Sequence, residues 1–205
     1  MNKEVILIGG FHEIIELCED SDINILGIID NKLVNEYMGY PIIGADKDAP
    51  ELYTKFKRYP LILAPDQPLL REKLFNYYSD LGYTFTSLIC KTAKISRSAL
   101  IGNGTIIQNG VNISSSSNIG NFVKLNTNAN IMHDSSIADF STVAPDAVIL
   151  GRVIVQNSCY IGSNSTILPG ILIRKLTTVG AGAVVTKDTE ESDIVVGIPA
   201  KKTIK

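Results

Sequence analysis

His133 and Asp134 are the neighbours in this chain best suited to moving a proton, an imidazole followed directly by a carboxylate. Imidazole titrates near neutral pH, so it can take a proton from a weak nucleophile and return it to a leaving group. A carboxylate beside it can fix the tautomer and stabilise the imidazolium. Strand neighbours point to opposite faces, so the two side chains meet only where the backbone bends. On position alone His133 reads equally well as a solvated turn residue, and Asp134 as a solvated acid. His12 is the second of only 2 histidines. Two cannot supply a three-histidine zinc site, so metal-dependent hydration is excluded and no metal is expected. The 3 cysteines, Cys18, Cys90 and Cys159, are widely spaced without a CxxC pair. They read as reduced thiols of a cytoplasmic protein.

The elements that must hold His133 come from a repeat. Every sixth residue from Ile95 to Val185 is aliphatic, without a gap. Chance gives such a run a probability on the order of 10⁻⁸. The residue two before each of these is small or β-branched, from Ala93 to Ala183. Residues two apart share a strand face, so one large and one small side chain per segment would fill a narrow interior. Gly102, Asn103, Asn109, Gly120, Asn121, Asn157, Gly162 and Gly180 fall between segments and suit tight or left-handed turns. A helical period of 3.6 cannot hold this phase. The spacing predicts a parallel β-helix over 93–187, of about five coils.

The first half alternates in type. Lys3 to Ile8 reads as a buried strand ending in Gly9-Gly10, followed by a helix from His12 to Glu19. Ile25–Ile29 and Leu61–Ala64 read as further strands, Asp66–Leu81 as a helix, and Thr84–Ile89 as a last strand. That alternation predicts a small parallel sheet. A glycine turn after the first strand and Asp30 after the second resemble a nucleotide fold, with phosphate at the helix start and Asp30 near a ribose or base. GxGxxG is absent, and an ordinary glycine turn with a capping Asp30 explains the same residues.

The chain as a whole resembles the sialic-acid O-acetyltransferase and UDP-4-amino-sugar N-acetyltransferase family, a group of hexapeptide-repeat acyltransferases. The resemblance rests on the glycine turn with His12, Ile29-Asp30, Pro41-Ile42-Ile43-Gly44, Arg71 with Gly82, Leu88-Ile89 and Gly197-Ile198-Pro199-Ala200-Lys201. The chain departs from that pattern at Glu13 and at Pro65-Asp66, where the family has glycine.

The resemblance implies an α/β, small parallel-sheet (Rossmann-like) domain over 1–90 that binds a nucleotide-sugar acceptor. A left-handed parallel β-helix acyltransferase domain would follow over 91–205, with 18 residues per coil, in a homotrimer. Acetyl-CoA would be the co-substrate and no cofactor would be resident. His133 would be the general base, supported by Asp134. Gly151, one coil beyond His133, would offer its N–H to the thioester oxygen as it becomes an oxyanion; a conformational turn glycine is the alternative. Gly9, Gly10, Phe11, His12, Asp30, Asn31 and Asn126 would bind the acceptor. Thr142, Gly151, Ser163, Gly180, Ala181, Lys187 and Lys201 would line the acetyl-CoA site. The expected reaction is N-acetylation of a nucleotide-linked amino sugar in bacterial surface-glycan synthesis. O-acetylation of a sialic acid or related sugar shares the same base and donor. A non-catalytic binding module has no use for the His133-Asp134 pair.

Composition narrows the partners. The formal net charge of −2 carries no block of like charge, which argues against a nucleic-acid partner. No apolar stretch approaches the ~20 residues needed to cross a bilayer, and no signal-peptide pattern is evident.

Overall fold

The computed structural model describes residues 4–203; Lys3, expected in the first strand, lies outside them. Five strands make the N-terminal sheet: β1 (Glu4–Ile8), β2 (Asn24–Ile29), β3 (Glu36–Tyr37), β4 (Tyr40–Gly44) and β5 (Leu61–Leu63), in the order β3-β4-β2-β1-β5. Apolar runs such as Val5–Ile8 and Leu61–Leu63 are buried on both faces, as interior parallel strands must be. β1 runs parallel to β2 and β5, and β2 to β4. The sheet is nonetheless mixed rather than wholly parallel, because β3 and β4 form an antiparallel hairpin around Met38 and Gly39. Helices α1 (His12–Asp20), α2 (Ala49–Phe56) and α3 (Pro68–Asp80) pack on it. α1 presents Ile14, Ile15, Leu17 and Cys18 inward, a helical spacing of apolar residues. Neither the β3–β4 hairpin nor α2 was expected from the sequence.

The second half is a stack of two-residue strands on three faces. The first face holds Asn130–Ile131 among six strands, the second Ser136–Ile137 among five, and the third Lys124–Leu125 and Thr142–Val143 among eight. Each strand pairs in parallel with the one 18 residues on: Ile131 with Ile149, Ile137 with Val155, Leu125 with Val143. The six- and five-stranded ladders are wholly parallel, and the eight-stranded one is mixed only at its last strand, Lys201–Lys202, which runs antiparallel. The stack begins earlier and ends later than the expected 93–187. Leu88–Ile89 is its first rung on the third face, pairing with Ile106–Ile107 rather than closing the N-terminal sheet; of the remainder of the expected 84–89 strand, only Phe85 bridges to Leu61. At the other end Val179 pairs with Val195, a shortened step, and Val195–Val196 is capped by antiparallel Lys201–Lys202. The interior is Ile, Leu and Val at the six-residue positions, from Ile107 to Val185, with Ala129, Ala147, Cys159 and Ala183 filling beside them.

The turns depart from expectation. The left-handed position is the second turn residue, and it holds Phe122, Asp134, Phe140 and Arg152 as well as glycines. Gly162 serves a different need, since a Cβ there would lie 2.6 Å from the Ala181 nitrogen of the next coil. Phe122 and Phe140, one coil apart, stack at 5.4 Å with 7° between planes and project into Phe75 and Phe85. This aromatic cluster joins the stack to α3. Phe122 is 5% exposed, so Phe122→Ala should cost about 3 kcal/mol by the usual aromatic-to-alanine scale, read as a lower denaturant midpoint. Cys18, Cys90 and Cys159 are free and buried; burial pushes the Cys18 and Cys159 thiols up to about 12. Among the described residues no helix is long and apolar enough to cross a membrane.

Candidate active site

His133 sits in the turn between Asn130–Ile131 and Ser136–Ile137, on the edge where the first and second faces meet. Asp134 follows in a left-handed conformation, φ 59°. That bend swings two sequence neighbours to the same side, and His133 Nδ1 lies 2.8 Å from Asp134 Oδ2. Their side chains are 45% and 53% exposed. With Nδ1–H donating to the carboxylate, Nε2 keeps a free lone pair.

Gly151 occupies the matching turn of the next coil. The Arg152 N–H donates to the His133 carbonyl at 3.0 Å, which locks the two turns together. A Cβ on Gly151 would stand 2.8 Å from both Cε1 and Nε2 of His133, so only glycine lets the ring lie there. The Gly151 N–H makes no hydrogen bond within the described residues. A proton acceptor and an unused amide donor are thus adjacent. Gly151→Ala should displace the ring by about an ångström and lower kcat roughly 100-fold, with little change in melting temperature; steady-state kinetics beside a thermal melt would show it.

The expected acceptor residues gather elsewhere, at the C-terminal ends of β1, β2 and β5. Asp30 accepts from the N–H groups of Gly10 at 2.9 Å, Lys32 at 2.7 Å and Leu33 at 3.0 Å. Burial pushes its carboxyl up, but the three amides outweigh that and hold it below the usual carboxylate range. Asn31 is tied to Asp46 through both ends of its amide. His12 begins α1, exposed, its ring 5.0 Å from Phe11. Two cavities adjoin here. One of about 200 Å³ is lined by Gly9, Gly10, Phe11, Pro65, Asp66 and Lys124. Another of about 220 Å³ includes Gly9, Asp30, Asn31, Lys32 and Pro65.

Lys124 and Asp66 were not singled out as site residues in the sequence, and nothing in the six-residue pattern marks them. Lys124 is fully buried, its ammonium donating to Ala64 O at 2.9 Å, 2.8 Å from Asp66 Oδ1 and 5.0 Å from the Phe11 ring centre. Burial lowers its pKa, and Asp66 opposes that. Asn126 is 3% exposed and reaches Asp66 Oδ1 at 3.4 Å. Arg71, known from the motif alone, is buried with its guanidinium donating to Phe122 O, Pro65 O, Asp66 O, Phe140 O and Ser141 O. Burial lowers it to about 10, which leaves it charged at neutral pH.

The expected donor residues do not form one cluster. Thr142 is corrected: it is fully buried, its hydroxyl donating to Asp66 O at 2.6 Å and accepting from Arg71 at 2.9 Å, so it lines no open groove. Ser163, Gly180 and Ala181 lie at the edge between the third and first faces, with Gly182 N–H bonded to Ser163 O. Lys187 is exposed on the same edge as His133 and Gly151, and Lys201 is exposed on the closing strand.

The whole chain aligns with solved structures. A histidine-to-alanine mutant of GDP-perosamine N-acetyl transferase from Caulobacter crescentus, in complex with CoA and GDP-perosamine, matches with a TM-score of 0.94 and 29% identity over 98% of this chain and 97% of that one. The acetyltransferase domain of PglB from Neisseria gonorrhoeae, in complex with acetyl coenzyme A, gives 0.91 and 25% over 99% and 100%. WeeI from Acinetobacter baumannii gives 0.85 and 26% over 98% and 100%. No protein-family model and no curated protein matches the chain. The membership read from the motifs is corrected by these matches: in place of a sialic-acid O-acetyltransferase they show whole-chain likeness to acetyltransferases bound to CoA or acetyl coenzyme A, the first of them an N-acetyl transferase with a nucleotide-linked amino sugar.

Proposed function

We infer that this chain is an acetyl-CoA-dependent N-acetyltransferase whose acceptor is a nucleotide-linked amino sugar. The observation that carries the mechanism is the His133 ring, held at Nδ1 by Asp134 and packed against Gly151, whose N–H makes no hydrogen bond among the described residues. In the proposed step the sugar amine attacks the thioester carbonyl as its proton passes to His133 Nε2. A positioned base of this kind contributes about 10²–10⁴-fold. The carbonyl oxygen becomes an oxyanion beside the Gly151 N–H, a contact typically worth ~3 kcal/mol. Collapse breaks the carbon–sulfur bond, and the imidazolium returns its proton to the departing thiolate. Asp134 stabilises that imidazolium.

We further propose that residues 1–90 hold the acceptor and 91–205 the donor, in a homotrimer in the cytoplasm. The cavity with Gly10, Asp66 and Lys124 abuts the third face, whereas His133 stands on the opposite edge. Packing three copies would bring the His133 edge of one to the cavity of the next, with Ser163, Gly180 and Ala181 beside the pantetheine arm. Lys187, on the His133 edge, and Lys201 would meet CoA phosphates. Light scattering tests the assembly; a fully active monomer would contradict it. For the activity, thiol release from acetyl-CoA should depend on one member of a panel of GDP-, UDP- and dTDP-linked amino sugars. Equal release with free sialic acid would favour O-acetylation instead.

A further inference from the structure

The turn Ala64-Pro65-Asp66 is held by hydrogen bonds from two stacked strands and from α3. Lys124 donates to Ala64 O at 2.9 Å, Arg71 to Pro65 O at 2.7 Å, and Thr142 to Asp66 O at 2.6 Å. All three donors are buried, so every carbonyl of the turn is fixed. The Asp66 side chain, 46% exposed, is left facing the cavity that contains the glycine turn. Its Oδ1 is engaged by Lys124 and by Asn126. Oδ2 has no partner among the described residues.

Resting on the function proposed above, we propose that Asp66 makes the site selective for an amine over a hydroxyl: Oδ2 accepts a hydrogen bond from the acceptor's amino group. A neutral amine has two N–H bonds and a lone pair. It can donate one N–H to Asp66 and one to His133 of a neighbouring copy while the lone pair attacks the thioester. A hydroxyl has one proton, and donating it to Asp66 leaves none for His133. An ammonium acceptor first loses its extra proton to solvent. Nitrogen–carbon bond formation, carbon–sulfur cleavage and the return of the proton from His133 to the thiolate then proceed as before. The fixed turn supplies the position, since a polar group that is already ordered loses little on binding.

The test compares the nucleotide-linked amino sugar that the wild type acetylates with the counterpart bearing a hydroxyl at that carbon. In Asp66→Asn, Lys124 retains the amide oxygen and turns the NH₂ toward the cavity, so the amine-to-hydroxyl ratio of kcat/KM should fall at least tenfold. Because that change weakens the partner of a buried ammonium, the ratio is also read in the double variant Asp66→Ala/Lys124→Met, which removes both charges. A similar fall in this folded variant, with unchanged affinity for CoA, supports the assignment. A wild-type ratio in either folded variant overturns it, while the functional reading stands. If the wild type acetylates no nucleotide-linked amino sugar, the functional reading fails and this selectivity fails with it.

Discussion

Replacing His133 with alanine should lower kcat by about 10³-fold while CoA affinity and melting temperature stay near wild type. The side chain is 45% exposed, and its one side-chain hydrogen bond is to Asp134, itself 53% exposed. Removing a surface ring of this kind costs little stability. The backbone lock between His133 O and Arg152 N–H is untouched by the substitution. Activity falls because the attacking amine must shed a proton as the bond forms, and nothing else at this turn can accept it with comparable basicity. Asp134→Asn should show a smaller loss than His133→Ala, since the ring then keeps its place but loses the charge that stabilises the imidazolium. Turnover at saturating acetyl-CoA and acceptor, measured beside a thermal melt, separates a chemical loss from an unfolded enzyme.

Replacing Arg71 with alanine should be the most destabilising single change in the chain, about 3–5 kcal/mol. The guanidinium bonds five carbonyl oxygens and the Thr142 hydroxyl, spanning α3, the 64–66 turn and two coils of the stack. Alanine strands those oxygens in a buried seam and opens a cavity beside Phe122. Lysine would not restore the seam, because a single ammonium cannot reach carbonyls on both sides of a planar fork. Denaturant titration should show a lower midpoint, accompanied by loss of amide protection at Phe122 and Phe140. A shift under 1 kcal/mol would mean that the two halves do not depend on this residue.

Much of the positioning was legible because it follows from local periodicity. Inward side chains recur at the six-residue spacing seen from Ile95 to Val185, since a two-residue strand and its turn repeat the same backbone path on each face. The His133-Asp134 contact was conditional on a bend, and the left-handed Asp134 supplies it. What could not be read was long-range. The outward position of each strand carries no pattern, so Lys124 and Thr142 look like surface residues until the 64–66 turn is seen lying over them. Thr142, which the resemblance placed at the acyl donor, is covered by that turn instead. Phe122 and Phe140 stand in turns, where the repeat alone places solvent, yet they anchor α3. The β3–β4 hairpin escaped notice because its two-residue partner strand is too short to show alternation.

The most direct test of acetyl transfer to nitrogen is the structure of the product. Wild-type protein incubated with acetyl-CoA and a nucleotide-linked amino sugar should yield one new N-acetyl group, seen by NMR as an amide proton coupled to the sugar carbon that bore the amine, in amounts equal to the free CoA released. Release of CoA with the amine unchanged and free acetate in its place would contradict that assignment.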